Sequence, residues 1–248
     1  VTESQSISAA KALYDARLES IASENRGSVL FKAAPGTGKT TLLAYRIKFL
    51  VSQQHVDPNQ IVVVTYTNAA VEEIKTQLKK PTVNYLPAEI PENIRTLHSF
   101  GAGILRRNSV AAHALGVPVG FDVADEINAR IILGDAVEDN RSMVGRGCAI
   151  HDKRQLSKMI QNAKANYLYW TDLPNDDFKH LYQGYQTLLF ENQALDYDDL
   201  VLQAARLLES NVEARRSHRL LFPYLLVDEC QDLSIAETKL VSATTDPA

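Results

Sequence analysis

Cysteine is nearly absent from this 248-residue sequence, which holds only Cys148 and Cys230. The two lie far apart, with neither metal-ligand spacing nor a disulfide framework, so no disulfide partner is expected and a reducing cytoplasm is the compartment they suit. No apolar run approaches the length of a membrane span, and the opening Val1-Thr2-Glu3-Ser4 does not resemble a secretory signal. Positive charge is not in excess either. With 26 Lys and Arg against 30 Asp and Glu the net charge is −4, so the chain is no polycation and any nucleic-acid affinity must come from a local patch. Internal repeats and low-complexity tracts are missing as well. What remains, 45% hydrophobic and 23% charged, is an ordinary globular composition, long enough for one large domain or two modest ones.

Against this background one stretch stands out, Lys32-Ala33-Ala34-Pro35-Gly36-Thr37-Gly38-Lys39-Thr40-Thr41. It follows the apolar run Ser28-Val29-Leu30-Phe31 and precedes Leu42-Leu43-Ala44-Tyr45-Arg46-Ile47, which has helical spacing. Strand, small-residue loop and helix form the setting of a phosphate-binding loop. Gly36 and Gly38 let the backbone turn without a Cβ in the way, so successive N–H groups, from Ala34 to Thr41, can face a polyphosphate. The following helix points its positive end at the same anion. Lys39 would reach the β- and γ-phosphates, and Thr40 would offer its hydroxyl to Mg2+. The pattern G-x-x-x-x-G-K-[ST] lacks its first glycine, for which Ala33 stands.

Taken in order, residues 5–24 have the spacing of an amphipathic helix. The helix after the loop runs to about Gln53. Ile61 to Thr67 is an unbroken β-branched run, typical of a parallel strand buried on both faces. Thr67 or Asn68 caps a helix over about 69–80 that Pro81 stops. A short strand over 93–97 leads to a helix opened by His98. From 108 to 218 the texture is helical: Ile127, Ile131 and Ile132 share a face, Phe178 to Leu189 form a longer stripe, and Leu200, Ala204, Leu207 and Leu208 a third. Strand character returns at Tyr224-Leu225-Leu226-Val227, and a helix over about 234–244 closes the chain. The expectation is an α/β domain with a parallel sheet, in two parts (1–107 and 219–248), interrupted by an all-helical insertion (108–218).

An apolar strand ending in two carboxylates supplies the other half of a nucleotide site. Asp228 can hold Mg2+ opposite Thr40, and Glu229 can polarise the water that attacks the γ-phosphate. Here the chain resembles a family, the superfamily 1A DNA helicases of the UvrD/Rep/PcrA type. Besides the phosphate loop, Asp228-Glu229-Cys230-Gln231-Asp232 matches its D-E-x-Q-D. Val64-Thr65-Tyr66-Thr67-Asn68-Ala69-Ala70 matches its V-T-F-T-N-K-A, with Tyr66 for Phe and Ala69 for Lys. Thr96-Leu97-His98-Ser99-Phe100 is similar to its T-F-H-S-x, and Leu195-Asp196-Tyr197-Asp198-Asp199-Leu200 to its acidic-aromatic D-F-x-D-L.

The resemblance implies a RecA-like ATPase domain with ATP and Mg2+ as cofactors and single-stranded DNA and its junctions with duplex as partners. Lys39, Thr40, Asp228 and Glu229 keep the roles already given, while Gln231 would sense the γ-phosphate and couple it to DNA. Thr65, Tyr66, Asn68 and Thr96 would lie along the strand. For Tyr66, base stacking competes with plain strand-end packing, as it does for Tyr197 with core packing; His98 either faces DNA or bonds its own backbone. Gln5 is the candidate adenine reader, although it lies 34 residues before Lys39, further than in relatives. The insertion corresponds to the helical subdomain 1B. Between 141 and 170, Arg141, Arg146, Lys153, Arg154, Lys158 and Lys164 face one acid, Asp152, with Tyr167, Tyr169 and Trp170 beside them. Such a stretch, Lys164 included, suits a nucleic-acid backbone, or else it is a solvated face over packed aromatics.

Sixteen residues follow Asp232. The family's second motor domain and its γ-phosphate arginines would lie beyond them in cis, so the expectation is a half-motor, weakly active or inactive alone. A stand-alone nucleotide- or DNA-binding module is the alternative. A phosphate-loop enzyme of another class, such as a small-molecule kinase, would have to work without a recognisable acceptor-binding element.

Overall fold

The computed structural model describes residues 16–18, 20–24, 29–31, 38–81, 90–139, 153–174 and 176–245. Contacts divide the chain into two compact units, one of residues 1–96, 220–230 and 246–248, the other of 97–219 and 231–245.

The first unit is built on a three-stranded parallel sheet in the order β2-β1-β5: β1 (Ile61–Thr65), β2 (Asn93–Thr96) and β5 (Tyr224–Val227). All five residues of β1 are buried, as its β-branched run requires of a central parallel strand. Val63 pairs in register with Ile94 on one side and Leu226 on the other. Helices α1 (Lys39–Ser52) and α2 (Asn68–Lys79) lay Ile47, Leu50, Ile74 and Leu78 against Ile61, Val63 and Ile94. Each such side chain taken out of water contributes about 1.5–3 kcal/mol. Thr67 caps α2 by accepting the Ala70 N–H at 3.1 Å, and at the other end the buried ammonium of Lys48 donates to the Lys80 carbonyl.

The apolar run ahead of the phosphate loop does not form the expected strand where it is described. Val29, Leu30 and Phe31 lie outside regular structure, and Val29 and Leu30 are exposed. The amphipathic first helix is described only at 16–18 and 20–22, where Leu18 and Ala22 pack on Leu42 and Tyr45 of α1.

The second unit holds α3 (Leu97–Arg107), α4 (Ser109–His113), α5 (Glu126–Asp139), α6 (Lys153–Ala165), α7 (Asp177–Glu191), α8 (Tyr197–Ser210) and α10 (Ile235–Thr244), together with all of α9 (Val212–Leu221) except its last two residues. Its core joins Leu133 and Ala136 of α5, Leu156 and Ile160 of α6, and Leu181, Tyr182, Tyr185 and Leu189 of α7. Two expectations are corrected here. Ile127 and Ile131 of α5 are exposed, because Leu133 and Ala136 define the face that packs. The segment is also not wholly helical: β3 (Asp122–Val123) and β4 (Ala194–Leu195) pair in parallel, two residues each, too short to register as a period in sequence. Helix α3 packs against α8 so closely at Gly101 that a Cβ there would collide with the Leu200 carbonyl.

Candidate functional site

Lys39 opens α1 directly after Gly38, whose φ of +87° places it in the left-handed region that suits glycine. No side chain caps this helix start and its first turn has no acid, so its N–H groups and dipole are left to attract an anion. Thr40, in the same turn, is half-buried.

The carboxylates come from the end of β5. Asp228 extends the ladder by donating its backbone N–H to the Val64 carbonyl at 2.9 Å. Glu229 then turns out of the strand with φ +50°, a conformation that costs a non-glycine residue about 1 kcal/mol. Its N–H donates to Oδ1 of Asp228 at 3.1 Å, and its Oε2 stands 3.3 Å from Nζ of Lys39. The structure therefore brings together Lys39, the lysine of the expected phosphate loop, and one carboxylate of the acidic pair, 190 positions apart in sequence. Burial, and next the charge of adjacent Glu229, raise the pKa of Asp228, with Lys39 opposing. Two neighbouring half-buried carboxylates thus stand beside the Lys39 ammonium. A hydroxyl, a carboxylate and open N–H groups are the hard oxygen and anion-binding chemistry that Mg2+ and a polyphosphate require, and the residues present fit both.

The other candidates are distributed unevenly. Ala34, Pro35, Gly36, Thr37 and Gln5 lie outside the described residues, as do Arg141 and Arg146. Gln231 is exposed in the short turn Cys230–Asp232, where its Nε2 donates to Asp232 at 3.1 Å. Along the first unit's sheet, Tyr66 and Thr96 are half-buried and Asn68 is exposed, whereas Thr65 is buried at 1% exposure and presents no side chain to a ligand. In the second unit, Tyr197 is 51% exposed and its ring meets that of His98 edge-on, 5.7 Å between centroids. Burial lowers the pKa of His98, with Glu237 and Asp196 opposing.

Lys164 is the clearest correction. Expected as a surface cation, its side chain has no exposed area, and its ammonium lies 2.6 Å from Asp196 and 2.9 Å from Asp199. It cannot touch a nucleic-acid backbone. On α6 it shares the buried face with Leu156, Ile160 and Ala163, a placement that helical spacing from Ile160 signals, and the aspartates at Asp196 and Asp199 offered a second signal, because carboxylates taken out of water need a cation. Among the described residues, no group of three or more His, Cys, Asp or Glu side chains could hold a metal, and no helix is long and apolar enough to cross a membrane.

Comparison with known proteins follows the same lines. The family model of the UvrD/REP helicase N-terminal domain matches residues 14–246. The ATP-dependent DNA helicase PcrA of Staphylococcus epidermidis is 31% identical over 228 residues, and that of Staphylococcus aureus 30% identical over the same length. In both cases the alignment covers 87% of this chain but 29% of the relative.

Proposed function

The chain belongs to the UvrD/REP helicase N-terminal domain family, and on that premise we propose that it is the ATP-binding lobe of an ATP-dependent DNA helicase. The observation that carries the reading is the pairing of Lys39 and Glu229 at 3.3 Å, between an uncapped helix start and the end of a parallel strand. Lys39 neutralises the β- and γ-phosphates, while the N–H groups of the loop and of the first turn of α1 hold the rest of the chain of phosphates. Thr40 and Asp228 would hold Mg2+, which would supply positive charge beside the phosphates. Glu229 exchanges Lys39 for the attacking water and accepts its proton, and Gln231 reports the state of the γ-phosphate to DNA.

Single-stranded DNA is the second ligand. Tyr66 offers a stacking ring and Asn68 a polar contact in the first unit; within the second unit, His98 and Tyr197 offer a paired stacking surface. Residues 108–218, read as the 1B-like insertion, contribute basic side chains such as Lys158, which is exposed. The chain spans 29% of the length of the curated relatives it matches. In this reading it binds ATP by itself but hydrolyses it slowly, because the arginines that act on the γ-phosphate belong to a second motor domain, and the whole protein works in the cytoplasm. Phosphate release measured with and without a single-stranded oligonucleotide tests this. Weak turnover is expected from the chain alone. Strong DNA-stimulated turnover that Glu229→Gln removes would contradict the need for a second lobe.

A further inference from the structure

The most densely charged interior of the second unit lies outside the nucleotide site, on three helices. Lys164 comes from the last turn of α6, Tyr185 and Gln186 from α7, and Asp196 and Asp199 from the start of α8. The Lys164 ammonium lies 2.6 Å from Oδ2 of Asp196 and 2.9 Å from Oδ2 of Asp199. Tyr185 donates its hydroxyl to the same Asp196 oxygen at 2.8 Å, and Gln186 Nε2 donates to both Asp199 oxygens at 3.2 Å. The remaining Asp196 oxygen accepts the Asp199 N–H at 2.9 Å and so caps α8. The Tyr182 and Tyr185 rings lie 5.7 and 5.2 Å from the ammonium.

Stability alone does not account for such a cluster, because apolar side chains of the same volume usually stabilise an interior at least as well. What the polar groups add is a single geometry for the first turn of α8. That turn carries Tyr197, directly after the capping Asp196, with half of its surface exposed and one edge braced by His98 at an interplanar angle of 84°. Burial lowers the pKa of His98, with Glu237 and Asp196 opposing, which favours a neutral ring there. An exposed ring held still by a second ring is a stacking surface for a base of any sequence.

We propose that Lys164 is a positioning residue for single-stranded DNA: through Asp196 and Asp199 it fixes the first turn of α8 so that the Tyr197 ring, braced by His98, stands ready to stack on a base. The proposal rests on the reading of this chain as a DNA-binding lobe, and it replaces the direct backbone contact that the sequence suggested for Lys164. The paired replacement Lys164→Met with Asp199→Asn removes the ammonium and one carboxylate and leaves Asp196 as the cap.

The test uses the full 248-residue chain, a fluorescein-labelled oligo-dT read by anisotropy, and an oligonucleotide carrying 2-aminopurine, whose fluorescence falls when the base stacks. Tyr197→Ala is expected to weaken binding about ten-fold and to abolish the 2-aminopurine quenching. The paired replacement Lys164→Met with Asp199→Asn is expected to do the same, and adding Tyr197→Ala to it should cost nothing further, because both act through one contact. Lys164→Arg should retain part of the quenching, and binding of a fluorescent ATP analogue should be unchanged in all of them. A folded Lys164→Met, Asp199→Asn protein that binds and quenches like the parent would overturn the positioning role while leaving the DNA-binding reading intact. A parent chain that does not bind the oligonucleotide would overturn both. Should the paired replacement fail to fold, Tyr185→Phe, which removes only the hydroxyl donor to Asp196, is expected to reduce quenching, and parent-like quenching there would count against the proposal.

Discussion

Glu229 adopts a backbone conformation that glutamates seldom adopt, and it does so at the one point where a carboxylate is needed beside Lys39. The strain is local and small, and the ion pair helps to offset it until a phosphate competes for the lysine. A second carboxylate, Asp198, reports on its surroundings through its acidity. Burial, and next the charge of Asp196, push its pKa up to about 6 against the pull of Lys164, with Glu237 adding to the rise. A raised carboxyl pKa means that the folded chain holds the proton more tightly than the unfolded one. The associated stability is fully present below the unfolded value, near 3.8, and is lost as pH rises through about 6. Asp198→Asn should therefore stabilise the chain by about 1–3 kcal/mol above about pH 7, with the advantage vanishing below about pH 4, as followed by thermal melts across pH. A constant difference at every pH would show that the carboxyl does not titrate on unfolding in this way. Charge at single residues was the least legible property of the sequence. Lys164 and Lys158 belong to the same basic run, yet Lys164 lies on the buried face of α6 with Leu156 and Ile160, locked against two aspartates, and Lys158 is exposed. Helical spacing from Leu156 and Ile160 marks position 164 as inward, but the partners that let a lysine occupy it, Asp196 and Asp199, come more than thirty positions later.

Elements were easier to read where the signal was local. The cap at Thr67, the run of β1 and the closing helix with its Ser234 cap all arise from neighbours in sequence, and the structure has them within a residue or two of expectation. Thr67→Ala should cost about 1 kcal/mol in urea unfolding, since it leaves the Ala70 N–H without its acceptor. Where a neighbour from elsewhere decides, the reading failed. Helix α5 offered Ile127 and Ile131 as a face, but the packing partners sit over Leu133 and Ala136. Gly101 looked unremarkable, although the α3–α8 contact depends on it. Gly101→Ala should force the two helices apart and destabilise the second unit by about 1–3 kcal/mol or more. Unfolding indistinguishable from the parent would mean that the helices separate at little cost. The two-residue ladder of β3 and β4 escaped notice for the same reason: each strand is defined only by the other.

For the whole molecule, the pairing of Lys39 with Glu229 was legible because each lies in a short motif whose chemistry calls for the other, and the structure brings the two together across the length of the chain. The division into units was less so, since α3 joins the helical unit through α8. With a net charge of −4, the proposed oligonucleotide binding would have to come from local cations, and on the proposed function it should weaken steeply with salt while binding of a nucleotide changes little. The most direct measurement is a titration of the chain with a fluorescent ATP analogue in the presence and absence of Mg2+, beside Lys39→Ala. Saturable binding that requires Mg2+ and falls about thirty- to a hundred-fold in Lys39→Ala, with that variant folded as the parent is, is the predicted result. Binding of equal strength in the parent and Lys39→Ala, or none at all in a folded parent, would contradict the assignment of this site as the one that holds ATP.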